Sequence, residues 1–249
     1  MSRLRFAIRV LGLALAGAAG AQDVYETRTT RLEFDAGRRA FALLALSECP
    51  SAVDRVRTIL GLETPEPRTI RIVADQPELD DRVREAVGAD APDWAGAIAV
   101  PSRRLVFLRA DLPRRDDLAV RAILAHEFAH LAIQKALEER GRATRPIPRW
   151  LEEGFAQIAA GRLRLDEDVD LRPAAFFGRL LEPADLDAAF RGGEGAAAKA
   201  YAEAEAFLRF LARRHGTSTT PRLLRALLDG VPLKDAVTPF GGQPFDAEW

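Results

Sequence analysis

His126 and His130, separated by Glu127-Phe128-Ala129, have the types and spacing for metal chemistry. On an α-helix, residues four apart lie about 40° from one another around the axis and one turn along it. Both imidazoles therefore leave one face, within reach of a single ion. Neutral imidazoles at this spacing suit zinc, and the Glu127 carboxylate between them stands beside the metal rather than on it. The chain has only three histidines, and this pentapeptide holds two of them. A second reading stands next to this one, with both rings as hydrogen-bonded core residues and Glu127 as an exposed side chain.

The helix that must carry the pair is predicted to start at a cap on Asp116 or Asp117 and to run to about Arg140, with Gly141 as its stop. Val120, Ile123, Leu124, Phe128, Leu131 and Leu137 surround much of its circumference, which predicts burial on more than one side. Pro146-Ile147-Pro148-Arg149 then ends a loop, and Pro148 suits the first turn of a second helix beginning Trp150-Leu151-Glu152-Glu153-Gly154-Phe155-Ala156-Gln157. The first helix continues ten residues beyond His130, about 15 Å, and the second returns about 7.5 Å between Pro148 and Glu153. Seven loop residues can cover the difference. Antiparallel packing would thus bring a carboxylate near position 153 level with the histidines. Two histidines and one glutamate leave a fourth position open, the composition of a catalytic rather than a structural zinc site.

His-Glu-Phe-Ala-His followed by Trp-Leu-Glu-Glu-Gly-Phe-Ala resembles the gluzincin metallopeptidases, and among them the bacterial peptidase MA-like group. Aminopeptidase N and thermolysin are distant members of the same class. The resemblance implies a zincin-like fold and a Zn2+ ion held by His126, His130 and Glu153, the ligand being the residue before Gly154 and not Glu152. It implies Glu127 as general base. Gln157 falls where thermolysin-like enzymes place an aspartate that orients a ligating histidine, which implies a supporting role; an ordinary helix-surface residue is the other reading. Tyr201, expected at the start of a C-terminal helix, falls where similar proteins often carry a tyrosine that steadies an oxyanion; packing in the core is the other reading. The strand at Ala95–Val100, or its hairpin partner, resembles the sheet edge on which such enzymes hold peptide as an added strand. These motifs span residues 126–157, and the rest of the chain resembles the family in layout only.

Composition bounds the partners. The net charge is −1, and all but three of the 36 basic residues are arginines, a coding bias rather than a phosphate-binding signature. No nucleic acid is expected. Residues 1–21 read as a signal peptide: Arg3, Arg5 and Arg9 precede an apolar run from Val10 to Ala19, and cleavage is expected after Ala21. That run is short for a permanent membrane anchor. The mature chain, residues 22–249, is then expected in the periplasm or outside the cell. Cys49, the only cysteine, has no internal partner and reads as a buried, inert thiol.

Elsewhere, residues 23–34 read as one strand, and residues 36–60 as two helices divided at Cys49-Pro50-Ser51. Thr69–Ala74 reads as a buried strand, Gln76–Gly88 as a helix, and Ala95–Val100 with Arg104–Arg109 as a hairpin. Gly192–Gly195 reads as a flexible loop, and His215 as the last residue of a helix. Further helices are expected from Thr220 and from Pro232.

The resulting expectation is an α+β chain: a small mixed-sheet lobe, the motif helix, and a helical C-terminal lobe. The expected activity is zinc-dependent hydrolysis of peptide bonds in a peptide or protein substrate. The alternatives are a catalytically silent peptide-binding or scaffolding protein of the same fold, and a zinc hydrolase acting on a non-protein amide.

Overall fold

The computed structural model describes residues 22–113, 116–144, 147–161, 171, 179–190 and 192–240. The expected leader, residues 1–21, lies outside them. The chain is α+β, with a five-stranded sheet and, among the described residues, eight α-helices. It divides into two compact units, one of residues 1–49 with 65–120, the other of residues 50–64 with 121–249.

The first unit holds the sheet. Its strands are β1 (Gln22–Glu26), β2 (Thr30–Asp35), β3 (Arg68–Val73), β4 (Ala97–Val100) and β5 (Leu105–Arg109), in the order β1-β2-β3-β5-β4. The inner pairs β2–β3 and β3–β5 are parallel, and the outer pairs β1–β2 and β4–β5 are antiparallel. All-round burial of Val106, Phe107 and Leu108 follows from that central position. The helix α2 (Gln76–Val87), capped by Asp75 through the backbone N–H of Glu78, sends Leu79 and Val83 into a cluster with Val73, Val100, Leu105 and Phe107. Residues 97–109 form the expected hairpin, and among the described residues β4 is an edge strand of the sheet.

Two expectations for this region are corrected. Residues 23–34 make two strands rather than one, because Thr27 closes a turn. Its side-chain oxygen accepts from the Thr30 N–H at 2.9 Å, and its own N–H donates to the Thr30 carbonyl at 2.9 Å. Residues 39–60 make one helix, α1 (Arg39–Leu60), with Pro50 inside it. Ala42, Ala45, Cys49, Ala52, Val56 and Leu60 form one buried stripe that crosses the proline. Pro50 itself is exposed, so the carbonyl it leaves unpaired one turn earlier can be hydrated. Burial pushes the Cys49 thiol up to about 12, in keeping with an inert side chain.

The motif helix is α3 (Asp117–Glu139), and Asp116 accepts from the Ala119 N–H at 3.0 Å as its cap. Gly141, at φ +64°, provides the left-handed turn that ends it. In the second unit follow α4 (Arg149–Ala160), α5 (Pro183–Ala189), α6 (Glu194–His215), α7 (Thr219–Leu228) and α8 (Leu233–Val237). The expected loop at 192–195 is shorter than its glycines suggest. Gly193 caps α6, and Glu194 and Gly195 already belong to its first turn, where an acidic residue suits the helix dipole. Tyr201 therefore lies two turns inside α6 rather than at its start. His215 is the last residue of α6, its ring 6.1 Å from that of Phe240. Among the described residues no helix is long and apolar enough to cross a membrane.

Candidate metal and active site

Everything in the site comes from α3, α4, α5 and α6. Burial of α3 on nearly all sides carries its polar residues inward with it: His126 and Glu127 are only 9% and 7% exposed. Such groups need partners, and α4 brings them to the two histidines. Glu153 Oε2 lies 3.3 Å from His126 Nε2 and 3.3 Å from His130 Nε2, and the two ring nitrogens lie 3.3 Å from each other. The donors of His126, His130 and Glu153 thus form an equilateral triangle. Three corners of a tetrahedron around zinc, with bonds of about 2.0–2.1 Å, would be about 3.3–3.4 Å apart. The geometry fits the ion.

Electrostatics says the same. Glu153 Oε2 is buried and makes no hydrogen bond, although it faces two ring nitrogens. Burial pushes the Glu153 carboxyl up, but the charge of His130 and the nearness of both rings reverse this and hold it far below the ordinary range. Burial opposes a charge on His130, yet Glu153 and Glu152 together raise its pKa well above the ordinary value. The cluster gathers positive charge to a buried carboxylate, and a metal ion in the triangle would replace those protons.

Glu152, which the sequence reading set aside, has a distinct position. Its Oε1 lies 2.8 Å from His130 Nδ1. With the proton on Nδ1 donated to Glu152, Nε2 presents its lone pair to the triangle. Gln157 is half-buried on the same helix and makes no side-chain hydrogen bond among the described residues.

A close approach between α4 and α6 sets the remaining wall. Gly154 has no side chain to keep them apart: a Cβ there would stand 3.0 Å from the Ala204 carbonyl oxygen and 3.2 Å from the Ala204 Cβ. Four residues earlier, Trp150 packs edge-on against Phe207 at 5.5 Å. The helices thus run antiparallel, and one turn before Ala204 the ring of Tyr201 comes 6.1 Å from that of His126. Burial drives the Tyr201 hydroxyl well above its ordinary pKa, the charges of Glu153 and Glu127 add to this, and Arg149 opposes it. The phenol stays protonated, a hydrogen-bond donor.

Sequence reasoning missed three contributors. Asp187 on α5 accepts from the Trp150 N–H at 2.8 Å and so caps α4, whose own start at Pro148 has no capping side chain. Phe190, just after α5, packs edge-on against Tyr201 at 4.9 Å. Arg149 lies over the Phe190 ring at 5.4 Å, and its Nε is 3.6 Å from Glu153 Oε1. The spacing of Arg149 and Glu153, four apart on one helix, was a legible signal for that pair. The contacts of Asp187 and Phe190 are long-range and had none.

A comparison with curated proteins finds no match to this chain. The family model described as the Peptidase MA superfamily matches residues 50–248, a span that includes α3, α4 and α6, so the chain belongs to the Peptidase MA superfamily and its function is of the peptidase type.

Proposed function

We propose that the chain is a zinc-dependent peptidase of the gluzincin type, with His126, His130 and Glu153 as metal ligands and Glu127 as the general base. The observation that carries the reading is the 3.3 Å triangle of donor atoms, matched to tetrahedral zinc and with an otherwise unsatisfied carboxylate oxygen at one corner.

Zinc held there supplies Lewis acidity toward the scissile carbonyl and toward water. Glu127, buried beside the ligands on α3, takes the proton of the attacking water and passes it to the leaving amine nitrogen. The protonated hydroxyl of Tyr201 donates to the oxygen on which negative charge develops. Glu152 keeps His130 in the tautomer that leaves Nε2 free. The leader at residues 1–21 puts this activity in the periplasm or outside the cell.

Digestion of an unstructured protein, read by mass spectrometry, tests the reading. Cleavage that stops with a chelator and returns with zinc supports it. Stoichiometric zinc without any turnover on peptides would favour a binding or scaffolding protein, and hydrolysis of non-peptide amides alone would move the substrate class.

A further inference from the structure

Among the described residues, Arg149 is a cation set against the ligand cluster with most of its hydrogen-bonding capacity unspent. Among the described residues its only ion pair is the 3.6 Å contact of Nε with Glu153 Oε1. That oxygen is the outer one of the carboxylate whose Oε2 completes the triangle. The guanidinium lies over Phe190 at 5.4 Å, Phe190 packs on Tyr201 at 4.9 Å, and Tyr201 stands 6.1 Å from His126. These contacts make one continuous wall from the cation to the ligand ring. At its outer end the Arg149 side chain keeps 45% of its surface exposed.

An ion pair of that length and exposure is worth little in stability, so it does not account for an arginine held on an aromatic platform. The terminal nitrogens form a planar fork matched to a carboxylate, and stacking on a ring reduces the freedom lost when the fork is used. The charges of Glu153 and Glu127 already bear on Tyr201 within this wall. An incoming acidic group therefore needs a local cation to approach the reacting centre.

We propose, on the peptidase reading above, that Arg149 receives a carboxylate of the substrate close to the scissile bond and so selects acidic peptides. The carboxylate is either an Asp or Glu side chain near the cleaved bond or the C-terminal carboxylate of a short product segment. The shared chemistry is a paired acceptor on the guanidinium fork.

Internally quenched peptides in matched pairs test this on the zinc-loaded full chain. One arm compares Asp and Glu with Asn and Gln at the positions flanking the cleaved bond; the other compares free-acid with amidated C-termini. Wild type should favour the acidic member of one arm by about tenfold to a hundredfold in kcat/KM. In Arg149→Gln that ratio should fall to about one, and Arg149→Lys, which keeps charge but not the fork, should lie between. Zinc content and thermal melting of both variants establish that the site and fold persist. Equal rates for both members of each pair in wild type, or an undiminished ratio in Arg149→Gln, overturns the proposal alone. Absence of any peptide cleavage by zinc-loaded wild type overturns the peptidase reading, and this proposal with it.

Discussion

Glu152 and His130 meet at 2.8 Å across α4 and α3, and the contact is on the ring nitrogen that does not face the ligand triangle. Two adjacent glutamates on one helix thus serve the same histidine from opposite sides, Glu153 from the Nε2 side and Glu152 from the Nδ1 side. Residues adjacent on a helix point about 100° apart, so only one of them can enter the triangle. The other falls on the outer nitrogen.

The first prediction follows from that contact. Glu152→Ala should weaken zinc binding by about tenfold to a hundredfold, as loss of a ligand-orienting partner does. Glu152→Gln, whose amide oxygen can still accept from Nδ1–H, should recover most of it. Competition with a chromophoric chelator measures both. Unchanged affinity in Glu152→Ala would show that the contact does not orient the ring.

Gly154 carries the second. A Cβ at this position meets backbone of Ala204 at 3.0 and 3.2 Å, and backbone cannot rotate away as a flexible side chain can. Gly154→Ala should therefore separate α4 from α6 and cost about 1–3 kcal/mol in denaturant unfolding. It should also lower kcat, because the same separation moves Tyr201 from His126. A variant with wild-type stability and rate would mean that the helices yield without consequence.

Stability against acid gives a third prediction, in the sheet. Burial raises the Glu33 carboxyl, but hydrogen bonds and charge from Arg31 and Arg71 outweigh it and leave its pKa below the ordinary value. A depressed carboxyl stabilises the fold fully above its unfolded pKa, near the ordinary 4.5, and the contribution fades as pH falls through the folded value. Glu33→Gln should cost about 1–3 kcal/mol at neutral pH. The deficit should shrink steadily below the ordinary carboxylate range. Urea titrations of both proteins across that range check the sign, and a deficit independent of pH would contradict it.

Much of this was legible because the signals were local. The spacing of His126 and His130, the cap at Asp116, the stop at Gly141 and the opening proline at Pro148 each act within a turn of helix. Helix rise and a loop length sufficed to bring a carboxylate near position 153 level with the histidines, and only the family resemblance chose Glu153 over Glu152. Pro50 misled because its local cost is overridden by a buried stripe that runs on both sides of it. Thr27 misled because a threonine-rich run looks like strand until one hydroxyl closes a turn. Gly154 was visible only as part of a motif. Its reason is a contact with Ala204, fifty residues away, which no local pattern encodes. Asp187 and Phe190 were illegible for the same reason.

The central claim divides two neighbouring carboxylates into a metal ligand and a base, and one paired measurement tests it. Zinc content and hydrolysis of an unstructured protein are determined on purified Glu127→Ala and Glu153→Ala. Glu127→Ala should keep about one equivalent of zinc and lose hydrolysis by at least about a hundredfold, whereas Glu153→Ala should lose the metal and the activity together. Full activity in Glu127→Ala, or tightly held stoichiometric zinc in Glu153→Ala, would contradict the account.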